Sequence, residues 1–134
     1  MPKFSKSSAD KLRSCDLRLQ LIFNKVIKTW DCTIVCGHRN RDDQNNAYNN
    51  GRSQLKYPGS KHNKNPSIAV DVVPYYNGIG IDWSDTIGFA YFAGYVMRVA
   101  DEMGISLRWG GDWDKDRRNK DQSFNDLPHF ELVI

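Results

Sequence analysis

The sequence predicts an α+β fold in which a small, largely antiparallel sheet packs against two long helices, within a single domain. Two segments repeat apolar side chains at three- and four-residue steps, as amphipathic helices do: residues 8–30 and 84–103. Four short apolar or β-branched runs predict strands: residues 32–36, 68–73, 106–109 and 129–134. Because these elements do not alternate regularly along the chain, a doubly wound parallel sheet is disfavoured.

The length and composition are those of an ordinary globular protein of one domain. The chain has 134 residues, of which 40% are hydrophobic and 26% charged, and this is enough for one continuous core. We therefore expect one domain over residues 1–134, with an N-terminal helix, 8–30, before the segment that carries the functional motifs, 32–134. No apolar run approaches the roughly 20 residues that span a bilayer, so we expect no membrane insertion.

Small and polar residues mark the ends of the predicted elements. Ser7 or Ser8 can cap the first helix, and Gly104 stops the second long one. A short polar helix over residues 42–50 is predicted to stop at Gly51. Two polar segments without periodicity are predicted to be loops: residues 52–67 and 112–127.

Charge and cysteine content narrow the function classes without choosing one. A net charge of +3 and a pI of about 8.8 suit an anionic polymer such as a bacterial wall, or nucleic acid, and solubility alone explains them equally well. A nucleic-acid binder is disfavoured because the sequence lacks a basic helix or an aromatic platform at recognisable spacing. The three cysteines are Cys15, Cys32 and Cys36, and an odd number without a secretory signal argues against a disulfide framework. Cys32 and Cys36 lack the second cysteine pair of a zinc knuckle.

Asp71 lies in the middle of an otherwise apolar predicted strand. A buried charge is costly unless it is paired or bound to a metal. Alternation along a strand places Asp71 on one face with Ala69 and Val73, opposite to Val70 and Val72. A buried salt bridge and a metal ligand both explain this aspartate, and its position alone does not decide between them.

Histidines supply the other candidate ligands. His129 begins the last predicted strand, and Glu131, two residues on, shares its face as a partner or a competing ligand, or both belong to the polar face of an edge strand. His62 lies in a predicted loop, where a lone histidine means little. Two histidines and one carboxylate are a common ligand set for catalytic zinc, which keeps a fourth position for water.

A hydrolytic zinc site also needs a base and a cation. Asp126, three residues before His129, is the natural base, and Arg39 is the natural cation to position or polarise the substrate. His38, next to Arg39, should face away from such a site because neighbours in a strand point in opposite directions.

A set of short motifs follows in a consistent order from residue 32 onward. In chain order they are Gly37-His38-Arg39, Gln44, Gly51, Ser60-Lys61-His62, Ala69-Val70-Asp71, Pro74-Tyr75, Ile81-Asp82-Trp83, Leu107-Arg108-Trp109-Gly110-Gly111-Asp112-Trp113 and Asp126-x-x-His129-Phe130-Glu131-Leu132. Together they resemble the zinc peptidase family that includes D-alanyl-D-alanine carboxypeptidases and phage L-alanyl-D-glutamate endopeptidases.

The resemblance implies a role for each matched residue. It implies zinc ligands at His62, Asp71 and His129, a catalytic base at Asp126, and a substrate-positioning or carbonyl-polarising cation at Arg39. The remaining matches would contact the substrate, orient a ligand or wall the cleft: Ser60, Gln44, Glu131, Trp109 and Trp113. For the two tryptophans, core packing is an equally good interpretation.

Two departures from the family pattern are visible. The interval from His62 to Asp71 is longer than the shortest family form, which predicts an extended turn. The base is Asp126 where carboxypeptidase members often carry Glu, and this resembles the phage endopeptidase branch.

The expected function is therefore that of a phage endolysin. We expect a monomeric, zinc-dependent endopeptidase that cuts the L-alanyl-D-glutamate bond in bacterial peptidoglycan. The N-terminus shows no apolar secretory segment, so we expect synthesis in the host cytoplasm and release to the wall through a holin-like pore. The alternatives are a D-alanyl-D-alanine carboxypeptidase and a non-catalytic wall-binding module of the same fold.

Overall fold

The structure, a computed structural model, describes residues 2–120 and 125–134. Its helices are α1 (Lys6–Arg13), α2 (Leu17–Val26), α3 (Arg41–Asn49) and α4 (Thr86–Glu102), with a 3₁₀ turn at Lys61–Asn63. Its strands are β1 (Cys32–Cys36), β2 (Ala69–Pro74), β3 (Leu107–Trp109) and β4 (His129–Leu132). Part of the predicted loop 112–127 lies outside the described residues.

One four-stranded sheet, in the order β1-β2-β4-β3, organises the molecule, and every neighbouring pair is antiparallel. The predicted α+β fold class is confirmed. Strand β4 lies inside the sheet between β2 and β3, so the alternative in which His129 and Glu131 belong to the polar face of an edge strand does not apply. The register sets Asp71 opposite His129 on one side and opposite Cys36 on the other, which aligns three donor side chains across the sheet.

The predicted first helix, residues 8–30, is wrong as a single element because the chain breaks between α1 and α2. Asp16 leaves the helical path: its side chain caps α2 by accepting from Arg18 N, and its own N–H donates to Ser67 O at 2.8 Å. Buried Leu12, Cys15 and Leu19 continue an apolar stripe through the break, so periodicity alone could not reveal it. Of the two long helices expected, only α4 is long.

The apolar faces of α2 and α4 cover one face of the sheet and form the core with it. Phe130 of β4 lies at its centre, in edge-on contact with Phe23 of α2 and Phe92 of α4. Val70 and Val72 of β2 are part of the same cluster. No helix in the described part of the chain is long and apolar enough to cross a membrane.

Replacing Asp16 with alanine should destabilise the protein by about 1 kcal/mol, because the first N–H groups of α2 lose their cap. Asp10→Ala is the matched control, since Asp10 forms only exposed ion pairs with Lys6 and Arg13, and it should cost less than about 0.5 kcal/mol. Urea unfolding measures both. Equal losses in the two variants would contradict the capping role of Asp16.

Candidate metal centre

Two imidazoles and one carboxylate meet on the face of the sheet that is turned away from the core. Asp71 and His129 are cross-strand partners on β2 and β4, and His62 comes from the 3₁₀ turn. Asp71 Oδ1 lies 3.2 Å from His62 Nε2 and 3.3 Å from His129 Nδ1. Both imidazoles are buried, with 3% and 6% of their surface exposed. The structure thus brings together the three residues predicted to hold the metal.

A reciprocal cap fixes the turn that carries His62. Ser60 Oγ accepts from the backbone N–H of His62 at 3.2 Å, and the side chain of Asn63 accepts from the N–H of Ser60 at 3.0 Å. The N–H of Arg39 donates to the carbonyl of His62 at 2.9 Å and ties the turn to the exit of β1. Ser60 therefore shapes the turn that presents His62. The sequence alone left the role of Ser60 open.

The nitrogen of each imidazole that faces away from Asp71 has a fixed acceptor. His62 Nδ1 lies 2.8 Å from the carbonyl of Gly37, and His129 Nε2 lies 2.8 Å from Glu131 Oε1. A carbonyl and an ionised carboxylate only accept, so both outer nitrogens carry the proton. Each inner nitrogen can then offer its lone pair, the arrangement that metal-binding histidines adopt.

Gly37 has to be glycine for this contact to form. A side chain there would overlap the carbonyl of Lys11 and the hydroxyl of Ser14 at the end of α1. The close approach of β1 to α1 places the carbonyl of Gly37 against the imidazole of His62.

The distances around Asp71 fit a shared metal ion better than direct hydrogen bonds. A hydrogen bond between an imidazolium and a carboxylate is normally about 2.7–2.9 Å long, shorter than the 3.2 and 3.3 Å found here. Two donors on a tetrahedral zinc ion, each about 2.0–2.1 Å from it, lie about 3.3 Å apart. Each imidazole nitrogen is therefore at a distance from Asp71 Oδ1 that suits two ligands of one tetrahedral ion.

Each ionisable group of the centre shifts the pKa of its oppositely charged neighbours toward their charged forms. Burial acts to lower the pKa of both imidazoles, but Asp71 outweighs it and raises the pKa of His62 to about 10 and, with Glu131, that of His129 to about 9. Burial acts to raise the pKa of both carboxyls, but the two imidazoles hold the pKa of Asp71 well below its usual range. Hydrogen bonds from His129 and Lys61 lower the pKa of Glu131 to about 2. Without a metal both imidazoles are charged at neutral pH, and a metal must displace their protons.

Asp126 lies beside the centre, as predicted for a base. Its Oδ2 is 3.7 Å from His129 Nδ1, and burial together with the charge of Asp71 raises its pKa. The N–H of Asp126 donates to the carbonyl of Gly110 at 2.9 Å, and a side chain at Gly110 would overlap the carbonyl of Asp126. The ring of Trp113 is 5.4 Å from that of His129, so Trp113 walls the centre.

Arg39 is held in place rather than free. Its Nη1 donates to Gln44 Oε1 at 2.9 Å, and its Nη2 lies 3.7 Å from Asp71 Oδ2. Gln44 is fully buried and also donates to Ser53 Oγ and to the carbonyl of Leu55. Gln44 therefore positions the guanidinium of Arg39 beside the carboxylate of Asp71.

Trp109 does not wall the centre. Its indole N–H donates to the carbonyl of Leu127 at 2.7 Å, and its ring packs against the core. Of the two predicted interpretations for this residue, packing is the one that the structure supports.

Sequence reasoning missed Cys36. Two groups of donors share Asp71, and within each group the ligand atoms all lie within 4.8 Å of one another: one group adds Cys36 and His62, and the other adds Asp126 and His129. Cys36 reaches the centre because it pairs with Asp71 across the sheet, a register that the sequence does not reveal. His38 belongs to neither group, although it lines the cavity next to the centre.

The donors gathered on this face of the α+β fold are of the types that can hold a metal ion. The family model described as phage L-alanyl-D-glutamate peptidase matches residues 1–133, and the chain belongs to this family of peptidases. It is 34% identical over 136 residues to the L-alanyl-D-glutamate peptidase of Escherichia phage T5, covering 98% of both chains.

Solved structures share the fold. The L-Ala D-Glu endopeptidase ChiX of Serratia marcescens matches with a TM-score of 0.76 and 27% identity, over 98% of this chain and 91% of that one. The LD-carboxypeptidase LdcB matches with a TM-score of 0.53 and 21% identity, over 97% of this chain and 59% of that one, and shows a similar fold only.

The metal-free protein should become less stable as the pH rises from about 6.5 to about 10. The raised pKa values of His62 and His129 stabilise the fold fully below the unfolded value of about 6.5, and this contribution is lost as the folded imidazoles deprotonate. Urea unfolding of chelator-treated protein at several pH values measures the decline. His129→Gln should show a shallower decline than the wild type, and equal slopes would contradict the role of the imidazoles.

Proposed function

We propose that this chain is a zinc-dependent endopeptidase that cleaves the L-alanyl-D-glutamate bond in the stem peptide of bacterial peptidoglycan. One observation carries the proposal: His62 and His129 flank one oxygen of Asp71 at the spacing of tetrahedral zinc ligands. The proposed substrate is the one given in the names of the phage T5 and Serratia relatives. The proposed ligands are His62, Asp71 and His129.

Zinc suits this donor set because two imidazoles and a carboxylate leave one tetrahedral position for water. An ion bound there supplies a Lewis acid that lowers the pKa of that water to near neutrality. Glu131 holds the imidazole of His129 at the outer nitrogen, and the carbonyl of Gly37 does the same for His62. Such partners normally fix the orientation and basicity of a ligand.

Asp126 and Arg39 would carry out the proton and charge steps of the reaction. Asp126 accepts a proton from the attacking water and later donates it to the leaving amine. Its raised pKa favours that return of the proton. Arg39, positioned by Gln44, stabilises the negative charge that develops on the carbonyl oxygen of the scissile bond.

The proposed setting is phage-induced lysis of a bacterial host. The chain would be made in the host cytoplasm, act as a monomer, and reach the wall after release through a holin-like pore. The similarity to the phage T5 peptidase over 98% of both chains supports this setting.

A D-alanyl-D-alanine carboxypeptidase is the alternative that the sequence motifs leave open. The two activities leave different termini on digested peptidoglycan. New L-alanine carboxyl ends and new D-glutamate amino ends support the endopeptidase, whereas free D-alanine supports the alternative.

Purified protein should contain zinc, and removing it with a chelator should abolish wall lysis until zinc is restored. His62→Gln should weaken zinc binding by more than roughly tenfold, because a first ligand costs at least as much as an outer partner. His38→Gln is the matched control, since His38 lies outside both donor groups, and its zinc content should not change. Atomic absorption measures both. Normal zinc binding by His62→Gln would overturn the ligand assignment.

Asp126→Asn should lower kcat by roughly 10²–10⁴-fold, because the amide cannot accept the proton of the attacking water. Its zinc content should equal that of the wild type, since Asp126 is not one of the proposed ligands. Turbidity of a cell-wall suspension measures lysis, and metal analysis is done on the same preparation. Lysis at the wild-type rate would show that another group is the base.

A further inference from the structure

A cavity of about 450 Å³ opens next to the candidate metal centre. Asp71 and Arg39 form part of its lining, so a substrate bound at the centre extends into it. Its other walls include the end of α1, the exit of β1 and one side of α3. The cavity therefore lies where one half of a cleaved peptide must sit.

Two cations in this lining, Lys11 and Arg52, have no partner for their charge among the residues that the structure describes. Within residues 2–120 and 125–134, neither side chain takes part in an ion pair or a hydrogen bond. Arg39, by contrast, is already bound to Gln44 and close to Asp71.

The lining carries an excess of positive charge for an incoming ligand. It holds three cations, Lys11, Arg39 and Arg52, against two carboxylates, Asp43 and Asp71. Asp71 is the proposed ligand of a divalent ion, which more than neutralises it. An anionic group entering the cavity would therefore find two unpaired cations and a positively charged metal centre.

The two halves of the proposed substrate differ in charge. Glutamate has two carboxyl groups, and the stem peptide continues through only one of them, so the other remains free. Alanine, on the opposite side of the scissile bond, offers only a methyl group. The glutamate half is the one that matches a cationic cavity.

We propose that Lys11 and Arg52 bind the free carboxylate of the glutamate residue and make the enzyme selective for its ionised form. This inference rests on the proposed endopeptidase function. Both side chains are exposed, so their attraction for the carboxylate is moderate and is screened by salt. The ligand is a carboxylate rather than an amide, because an amide would leave both cations without a counter-charge.

Two synthetic stem peptides test the inference: one with the free carboxylate on the D-glutamate residue and one with that carboxylate converted to an amide. The wild type should show a higher kcat/KM for the carboxylate form. Arg52→Gln and Lys11→Gln should each lower it by roughly three- to tenfold for that peptide, as expected for one charged hydrogen bond at an exposed site. Cleavage of the amide form should not change in either variant.

Arg41→Gln is the matched control. Arg41 is an exposed cation on α3 that pairs with Asp42 and does not line the cavity. It should leave kcat/KM for both peptides unchanged. Raising the salt concentration should weaken cleavage of the carboxylate peptide by the wild type, and much less by the double variant of Lys11 and Arg52.

Calorimetric binding of the glutamate-side product peptide to zinc-loaded protein repeats the comparison without turnover. If the variants lose equal kcat/KM on both peptides, or lose it on neither, the assignment of Lys11 and Arg52 is overturned. If the wild type cleaves both peptides equally well, only this inference is wrong. If it cleaves neither peptide, the proposed function itself is wrong.

Discussion

The hydrogen-bonded register between β2 and β4 places the carboxylate of Asp71 opposite the imidazole of His129, and the rest of the centre is built around that pair. A slip of one residue would turn Asp71 toward the core and bring a valine to the site. Val70 and Val72, with 0% and 1% of their surface exposed, make such a slip costly. Apolar packing on one face of β2 thus specifies the polar chemistry on the other.

Charge balance then makes the buried centre tolerable. The carboxylate of Asp71 lies between two imidazoles, and Glu131 balances the outer side of His129. Lys61 closes the series, with its ammonium 2.8 Å from Glu131 Oε2. Because the signs alternate from the surface inward, each charge has an oppositely charged neighbour in a poorly hydrated place.

The sequence predicted the fold class, the strands and the convergence of the central histidines with Asp71, because periodicity and ordered motifs are local signals. It did not reveal the break at Asp16, since the apolar stripe continues across it and the cause is a hydrogen bond to distant Ser67. It also missed Cys36, whose approach depends on cross-strand register. Contacts between segments that are distant in the chain cannot be read from the local periodicity of the sequence.

The hydrogen bonds at the break between α1 and α2 connect the N-terminal region to a distant loop. The N–H of Asp16 donates to the carbonyl of Ser67, and the N–H of Ser67 donates to the carbonyl of Ser14. Ser67 ends the long loop that carries His62, so the first two helices brace that loop from the side. The segment before β1 is thus a structural support for one imidazole of the centre, and a fragment that began at β1 would keep the chemistry-bearing residues but lose the frame that aligns them.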